Sequence, residues 1–212
     1  VGTIEPIYQI GKIAREKQIL FHTDAVQAYA QIPLSVNYYP VDLLSASAHK
    51  FHGPKGVGFL YIRDGIDIPS FIHGGSQESG KRAGTENVAG IVGMAKAAEI
   101  AYGNMRKRVQ KEIMLRNYLI ERVMHEIPDA KLNGHRSIRL PGNVNFSFKG
   151  LEGASLLILL DEDGICALPI TARFSLIVEA IPCATMYSTL LCISSCSRFF
   201  CVAASTTAFA ME

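Results

Sequence analysis

Residues 24–50 contain an acid, an amide, a hydroxyl, an imidazole and an amine at spacings that would suit binding of one ligand. They are Asp24, Gln27, Ser47, His49 and Lys50. A lysine amine can form a Schiff base with a carbonyl compound, and a carboxylate can keep a heteroaromatic ring nitrogen protonated. Gln27 follows Asp24 by about one helical turn, and Ser47 and His49 flank Lys50 as donors suited to a phosphate. These residue types together point to binding of pyridoxal phosphate.

Two predicted strands would bring these side chains together. The apolar run Ile19–Asp24 ends in an acid, which predicts a strand with Asp24 at its carboxyl end. A second apolar run, Val41–Ser47, leads directly to Lys50. Ligands of open α/β sheets bind beyond the carboxyl ends of the strands. We therefore expect Asp24 and Lys50 to converge on one ligand.

The surrounding pattern alternates helix and strand, which favours an α/β sheet. A second, smaller α+β unit is predicted to start near residue 95, and the Gly-rich and Ser-rich stretch from His73 to Thr85 is predicted to be an exposed loop. The glycines at positions 90, 93 and 103 are the expected bends in one broken helix or two consecutive helices. The remaining predicted elements are a helix over Glu5–Lys17, a helix-compatible segment Ala25–Gln31, a strand Val57–Arg63, helical sequence over Glu86–Ile127, a strand Asn143–Phe148 and a helix Glu152–Leu160.

Composition narrows the class of protein. The chain has 212 residues with 21 Lys and Arg against 19 Asp and Glu, and a net charge of +2 offers no field that would attract nucleic acid. All five cysteines follow Gly164. Their odd number and the absence of a secretory signal favour a reducing cytoplasm over a disulfide framework. We expect a cytoplasmic protein with neither a nucleic-acid nor a membrane partner.

Three sequence strings resemble one known family. They are 22-HTDAVQA-28, 41-VDLLSASAHKFHGPKGVGFLYIR-63 and 74-GGSQESGKRAGTENVAGIVGMAKA-97. They are similar to the NifS-like cysteine desulfurases of the class V aminotransferase family, and the similarity runs from Val1 to about Ala167. The resemblance implies the fold-type I architecture of pyridoxal-phosphate enzymes. It implies half of the cofactor-binding large domain over residues 1–94, connecting helices and the start of the small domain over 95–167, and a divergent tail over 168–212.

The same resemblance implies roles for the polar residues. Lys50 would hold the cofactor covalently, Asp24 would pair with its pyridine nitrogen and Gln27 with its phenolic oxygen. The phosphate would be held by Ser47 and His49, and by Thr85 of a second subunit in a homodimer. The implied reaction takes sulfur from L-cysteine, leaving alanine and an enzyme persulfide. The persulfide passes to a sulfur acceptor protein, as in iron–sulfur cluster assembly.

The sequence departs from the family pattern at both ends. The pattern is lost at Leu168, and counting along it places the nucleophilic cysteine near position 173, which holds Arg173. A guanidinium cannot replace a thiolate nucleophile. The family's ring-stacking histidine and an early phosphate-binding loop would precede Val1. We therefore expect a fragment with a frameshifted or chimeric tail that is inactive by itself.

Other readings stay open at this point. Asp24 could simply cap a helix, and Lys50 could be a solvated surface charge. His49 and His52 could suggest a metal, but no third ligand lies near them in sequence, so no metal site is predicted. The rival functions are another class V enzyme, such as a selenocysteine lyase or an aminotransferase, and a non-catalytic remnant. The tail cysteines match no common zinc spacing, and the uncharged run 180–197 contains Pro182, which disfavours a membrane span.

Overall fold

A computed structural model describes residues 1–165, 167–170 and 175–179 of the chain. These residues form two compact units, one of Glu5–Arg106 and the other of Val1–Ile4 with the described residues from Lys107 onward. The first unit contains helix α1 (Ile7–Glu16), strands β1 (His22–Asp24), β2 (Leu43–Ser47) and β3 (Gly58–Ile62), 3-10 turns at Ala48–Phe51 and Gln77–Gly80, and helix α2 (Val88–Gly103).

The first unit is built on a three-stranded sheet in the order β1, β2, β3. β1 and β2 run parallel, with Asp24 opposite Ser45, and β3 is antiparallel to β2, with Gly58 opposite Ser47. The carboxyl ends of β1 and β2 therefore lie at the same edge of the sheet. This is the edge at which open α/β sheets bind ligands.

The two faces of this sheet differ in burial. Leu44 and Ala46 point to one face and are buried, with 5% of each residue exposed. The alternate residues of β2, including Ser45 and Ser47, are only half-buried. Because side chains alternate along a strand, His22 and Asp24 share the open face with Ser45 and Ser47. The open face therefore carries these four polar side chains.

An ion pair lies at the other end of the three strands, away from Asp24 and Ser47. Arg63, just after β3, lies 3.5 Å from a carboxylate oxygen of Asp42 and donates to the backbone carbonyl of Val41. The other oxygen of Asp42 accepts from the backbone amide of Phe21 at 2.9 Å. These contacts fix the relative register of β1 and β2, so the positions of Asp24 and Ser47 at the far ends are set as well.

The core of the first unit lies beneath the 3-10 turn that follows β2. Ala30, Ala48, Phe51 and Ala101 are all buried there, and the ring of Tyr29 packs on Phe51 with centroids 4.9 Å apart. Because Ala101 and its neighbours on α2 join this core, the whole of α2 belongs to the first unit. The units divide between 106 and 107, whereas the sequence suggested a boundary between 94 and 95; the sequence-based domain assignment stays a prediction.

One predicted element is wrong. Ala25–Gln31 was expected to be helical, but it forms successive hydrogen-bonded turns. Ala30 has a φ of 59°, in the left-handed region that interrupts a right-handed helix. The residue is fully buried against Ala48 and Phe51, so packing holds it in this conformation.

The second unit joins two helices to a separate sheet. The core residues Ile120, Val144 and Phe146 come from one helix and one strand. The elements are α3 (Met105–Glu126), β4 (Ala130–Leu132), β5 (Asn143–Phe148), α4 (Gly153–Glu162), β6 (Leu168–Ile170) and β7 (Ser175–Glu179). The strands lie in the order β4, β5, β7, β6, and every neighbouring pair is antiparallel.

Most of the other predicted elements are confirmed. The helical sequence over 86–127 forms two helices that break at Asn104, after the expected bend at Gly103. The strand at Asn143–Phe148 has the predicted bounds, whereas the strand expected from Ile19 is shorter and begins at His22. Among the described residues, no helix combines the length and the apolar character needed to cross a membrane.

Candidate functional site

The candidate site lies where β1 and β2 end. Asp24 is the last residue of β1, and Ser47 is the last residue of β2. The chain then turns at once into the 3-10 segment Ala48–Phe51, which carries His49 and Lys50. Parallel pairing places these strand ends side by side. The structure thus brings Asp24, Ser47, His49 and Lys50 to one edge of the sheet.

Asp24 has one oxygen occupied and its side chain exposed. Oδ1 accepts the backbone amide of Val26 at 2.8 Å, which is an Asx-type cap of the turn that follows the strand. No ion pair to Asp24 occurs in the part of the chain that the structure describes. Asp24 thus caps a turn and not a helix, as the sequence alternative had it, and its other oxygen, Oδ2, is left for a further donor.

Ser47 and His49 form the second part of the site. The Ser47 hydroxyl and His49 Nδ1 lie 2.8 Å apart. Partial burial lowers the pKa of His49, and the nearby ammonium groups of Lys50 and Lys55 lower it further. His49 is therefore a neutral ring at pH 7, and the amines that act on it make this edge locally positive. A hydroxyl, an imidazole and two amines are a donor set that suits a phosphate.

Lys50 is half-buried, and its position is set by its buried neighbours. Ala48 and Phe51 are exposed by 0% and 1%, so the backbone on both sides of Lys50 is anchored in the core. No acidic group pairs with Lys50 within the described residues. A lysine amine without a carboxylate partner is available for covalent chemistry with a carbonyl group.

Gln27 and Thr85 are less closely tied to this edge. Gln27 lies in the turns that follow β1 and is partly buried. Thr85 is exposed at the end of a loop in which the amide of Gly84 donates to Gln77 Oε1 at 3.1 Å. None of the hydrogen bonds among the described residues joins Gln27 or Thr85 to the strand ends. Their roles stay predictions.

Two further polar residues lie on the same face and were not predicted from the sequence. His22 lies two residues before Asp24, and Ser45 lies two residues before Ser47. Nε2 of His22 is 3.2 Å from the hydroxyl oxygen of Ser45. The signal was present in the alternation of the strands, because residues two apart share a face.

The side chains at this edge are of the chemical types that pyridoxal phosphate requires. The cofactor needs an amine at its carbonyl carbon, an acid at its ring nitrogen and donors at its phosphate. Lys50, Asp24 and the pair Ser47–His49 supply these groups from adjacent strand ends. Among the described residues, Oδ2 of Asp24 accepts no hydrogen bond and the Lys50 amine has no acidic partner.

Fold and site together define a class of protein. A family model for aminotransferase class V matches residues 1–168. The chain belongs to the aminotransferase class-V family.

Individual proteins within and around this family are also similar to the chain. The cysteine desulfurase IscS of Dictyoglomus turgidum (strain DSM 6724 / Z-1310) is 58% identical over 165 residues, which cover 78% of this chain and 42% of the relative. A solved NifS-like protein aligns with a TM-score of 0.78 at 38% identity, covering 84% of this chain and 52% of its own. A solved complex of SspA with cysteine has a TM-score of 0.58 at 32% identity, with 77% and 44% covered. The fold is thus the mixed α/β fold of the NifS-like, fold-type I proteins.

The chain corresponds to only part of the length of its relatives. The chain spans about 42% of the length of the curated relative from Dictyoglomus. The family match ends at residue 168. The position expected for a nucleophilic cysteine, Arg173, and the tail cysteines lie outside the described residues.

Proposed function

We propose that this chain provides the covalent cofactor-binding edge of a pyridoxal-phosphate-dependent cysteine desulfurase. The observation that supports it best is the parallel pairing of β1 and β2. It sets the acid Asp24 at the same edge of the sheet as the 3-10 turn that carries Lys50. The relatives named as cysteine desulfurases support the choice of reaction within the family.

Each residue has a definite part in this proposal. Pyridoxal phosphate, when bound, supplies an electron sink for the substrate's α-carbon. Lys50 would hold the cofactor through Nζ and would serve as the base that moves a proton at the substrate's α-carbon. Asp24 keeps a proton on the ring nitrogen through its free oxygen, and Gln27 donates to the phenolic oxygen. The hydrogen-bonded pair Ser47–His49 holds the phosphate.

The wider activity is proposed on the same basis. The substrate is L-cysteine, the products are alanine and sulfur for an acceptor protein, and the assembly is a homodimer. In that dimer Thr85 of one subunit reaches the phosphate in the other. The exposure of Thr85 at the end of the loop that contains Gln77 and Gly84 leaves it accessible to a second subunit.

A second candidate is a chain that binds the cofactor and transfers no sulfur. The observation that favours it is Arg173, which stands where the family pattern calls for a cysteine. This candidate shares the Lys50 site and differs only in turnover. Another class V activity remains the alternative if turnover occurs with a different amino acid.

Borohydride trapping tests whether pyridoxal phosphate becomes attached to Lys50, which both candidate functions require. The 212-residue chain is incubated with pyridoxal phosphate, reduced and digested, and the modified peptide is identified by mass spectrometry. We expect the adduct on Lys50 and its loss in Lys50→Ala. The matched control is Lys12→Ala, which removes an exposed amine of α1 and should keep the adduct. A principal adduct on Lys55 or Lys81 would contradict the proposal.

A further inference from the structure

The dipeptide Asn133–Gly134 follows β4 and has no part in the proposed function. It is the only Asn–Gly dipeptide in the 212-residue sequence. In such a dipeptide the backbone nitrogen of glycine can attack the side-chain amide carbon of asparagine, because glycine has no Cβ to hinder the approach. An asparagine followed by glycine is therefore prone to deamidation.

Glycine at position 134 is required by the fold. Its φ is 78°, in the left-handed region that glycine adopts without strain. A Cβ on Gly134 would also lie only 2.5 Å from the hydroxyl oxygen of Thr3. The backbone amide of His135 donates to that same hydroxyl at 2.9 Å, so Thr3 is held in place over the turn. The local structure thus selects the residue that makes Asn133 reactive.

The side-chain amide of Asn133 is held by β5. Nδ2 donates to Oδ1 of Asn145 at 2.6 Å and to the hydroxyl of Ser147 at 2.7 Å. These two acceptors match the two hydrogens of the amide nitrogen. Asn145 is fully buried and Ser147 is half-buried, so both bonds are largely screened from competing water.

The backbone of Asn133 is held as well. Its amide donates to the carbonyl of Asn145 at 2.8 Å, and its carbonyl accepts from Nη2 of the buried Arg139 at 3.0 Å. Deamidation requires the side-chain carbon of Asn133 to turn toward the nitrogen of Gly134. Both side-chain hydrogen bonds have to break before Nδ2 can leave.

We propose that Asn133 is a deamidation site that Asn145 and Ser147 protect in the folded protein and that opening of this turn exposes. The nitrogen of Gly134 forms a bond to Cγ of Asn133, the Cγ–Nδ2 bond breaks, and ammonia leaves with the proton of the Gly134 amide. Water then opens the cyclic imide at either carbonyl carbon, giving aspartate or isoaspartate. The two steps together are a hydrolysis, and nothing is oxidised or reduced.

The product cannot rebuild the contact with β5. A carboxylate at position 133 has no hydrogen to donate, so Oδ1 of Asn145 would face another acceptor. Isoaspartate also inserts a carbon atom into the backbone between β4 and Gly134. The reaction therefore separates this turn from β5 and does not reverse when the chain refolds.

The experiment incubates the 212-residue chain in mildly alkaline buffer and measures aspartate and isoaspartate at position 133 by peptide mapping with mass spectrometry. We expect the folded chain to react at least about tenfold more slowly than the same chain unfolded in urea, because two hydrogen bonds have to break first. Ser147→Ala should raise the rate in the folded chain about three- to tenfold. The matched control is Ser155→Ala, the same change at an exposed serine of the second unit, which should leave the rate unchanged.

A second control separates local protection from the stability of the whole unit. Val144 is 1% exposed and lies in the core on the other face of β5, so Val144→Ala lowers stability without removing a partner of Asn133. The inference is overturned if the folded chain reacts as fast as the unfolded chain, or if Ser147→Ala reacts no faster than wild type or Val144→Ala.

Should either variant fail to fold, wild type at urea concentrations below its unfolding transition makes the same comparison. A rate that does not change with urea indicates local opening of the turn and supports the inference. A rate that rises in proportion to the unfolded fraction indicates that only global unfolding exposes Asn133, and it overturns the inference.

Discussion

His49 illustrates how a single residue of the site is tuned by its surroundings. The ring lies 2.8 Å from the Ser47 hydroxyl, and partial burial together with the ammonium groups of Lys50 and Lys55 lowers its pKa below 6.5. The folded protein therefore opposes protonation of this ring. A neutral imidazole keeps an acceptor for Ser47 and a donor for a phosphate at neutral pH.

This shift makes stability depend on pH in a defined direction. In the unfolded chain His49 takes up a proton near pH 6.5, whereas the folded chain does so only at lower pH. The unfolded state is thus favoured as pH falls below 6.5, and the effect is absent well above it. We expect the wild type to lose more stability than His49→Gln between about pH 7.5 and about pH 5.5. Urea midpoints of both proteins at both pH values measure it, and a parallel decline would contradict it.

At the scale of elements, the 3-10 turn Ala48–Phe51 positions the candidate lysine. Its two ends are buried, and its last residue, Phe51, packs on Tyr29. The backbone after it passes through His52 at a φ of 68°. Lys50 is therefore presented by packing of its neighbours, since no hydrogen bond of its own side chain holds it among the described residues.

Removal of the Phe51 ring should unfold the first unit at lower denaturant concentration. Phe51 is 1% exposed, and truncation of a buried Phe to Ala costs about 3–5 kcal/mol. The matched control is Phe71→Ala, since Phe71 is 82% exposed and its loss should change stability by less than about 0.5 kcal/mol. Equal effects of both substitutions in urea unfolding would show that the turn is not anchored by its core.

In the second unit, Arg116 joins α3 to the segment before β5. Its Nη1 donates to the carbonyls of Arg139 and Leu140 at 3.2 and 3.1 Å, and the residue is 6% exposed. Burial lowers the pKa of Arg116 without bringing it near neutrality, so the group remains a charged donor.

We expect Arg116→Met to destabilise the second unit by about 2 kcal/mol, because hydrogen bonds from a charged group contribute about 1.5–3 kcal/mol and Met keeps part of the packing. Arg122→Met on the same helix is the control. Arg122 is exposed and pairs with Glu126 and Tyr118, and such surface pairs contribute little. Chemical denaturation of the two variants provides the comparison, and a smaller effect at 116 than at 122 would be contrary to this account.

For the whole molecule, the described residues leave large apolar side chains in water. Phe71, Val88, Val92 and Ile19 are exposed by 82%, 65%, 62% and 62%. Apolar side chains exposed in this number favour association. We expect the chain to self-associate and to bind a hydrophobic dye, as measured by analytical ultracentrifugation and fluorescence. A monodisperse monomer with one cooperative transition and no dye binding is the contrary result.

Turnover is the second prediction at this scale. We expect the chain, supplied with pyridoxal phosphate and cysteine, to release no alanine and to form no persulfide. The reason is that Arg173 stands where the family pattern places the thiolate. Alanine formation in wild type that disappears in Lys50→Ala would contradict this prediction and would indicate that one of the tail cysteines is the nucleophile.

Much of the local structure could be predicted from residue patterns. The strand at Asn143–Phe148, the break after Gly103 and the strand that leads to Lys50 follow from alternation, from glycine and from an apolar run. The residue types of the candidate site, Asp24, Ser47, His49 and Lys50, were also evident, because each stands at or just after the end of an apolar run.

Other features depend on contacts between distant segments. The helix-compatible segment Ala25–Gln31 becomes turns because Ala30 is buried in a left-handed conformation against residues from elsewhere in the chain. β4 was not predicted, since three residues have too little pattern of their own and are held by pairing with β5. The division of α2 from α3 between the two units likewise follows from which core each helix joins.

The sequence by itself determined which side chains could do chemistry and which strand ends carry them, because residue type and alternation are local properties. Only the tertiary structure decided that Ser45 lies opposite Asp24 and that His22 reaches it. The pairing of two strands is set by long-range packing and by the Asp42–Arg63 contact at their far ends, and neither is encoded in any single stretch of sequence.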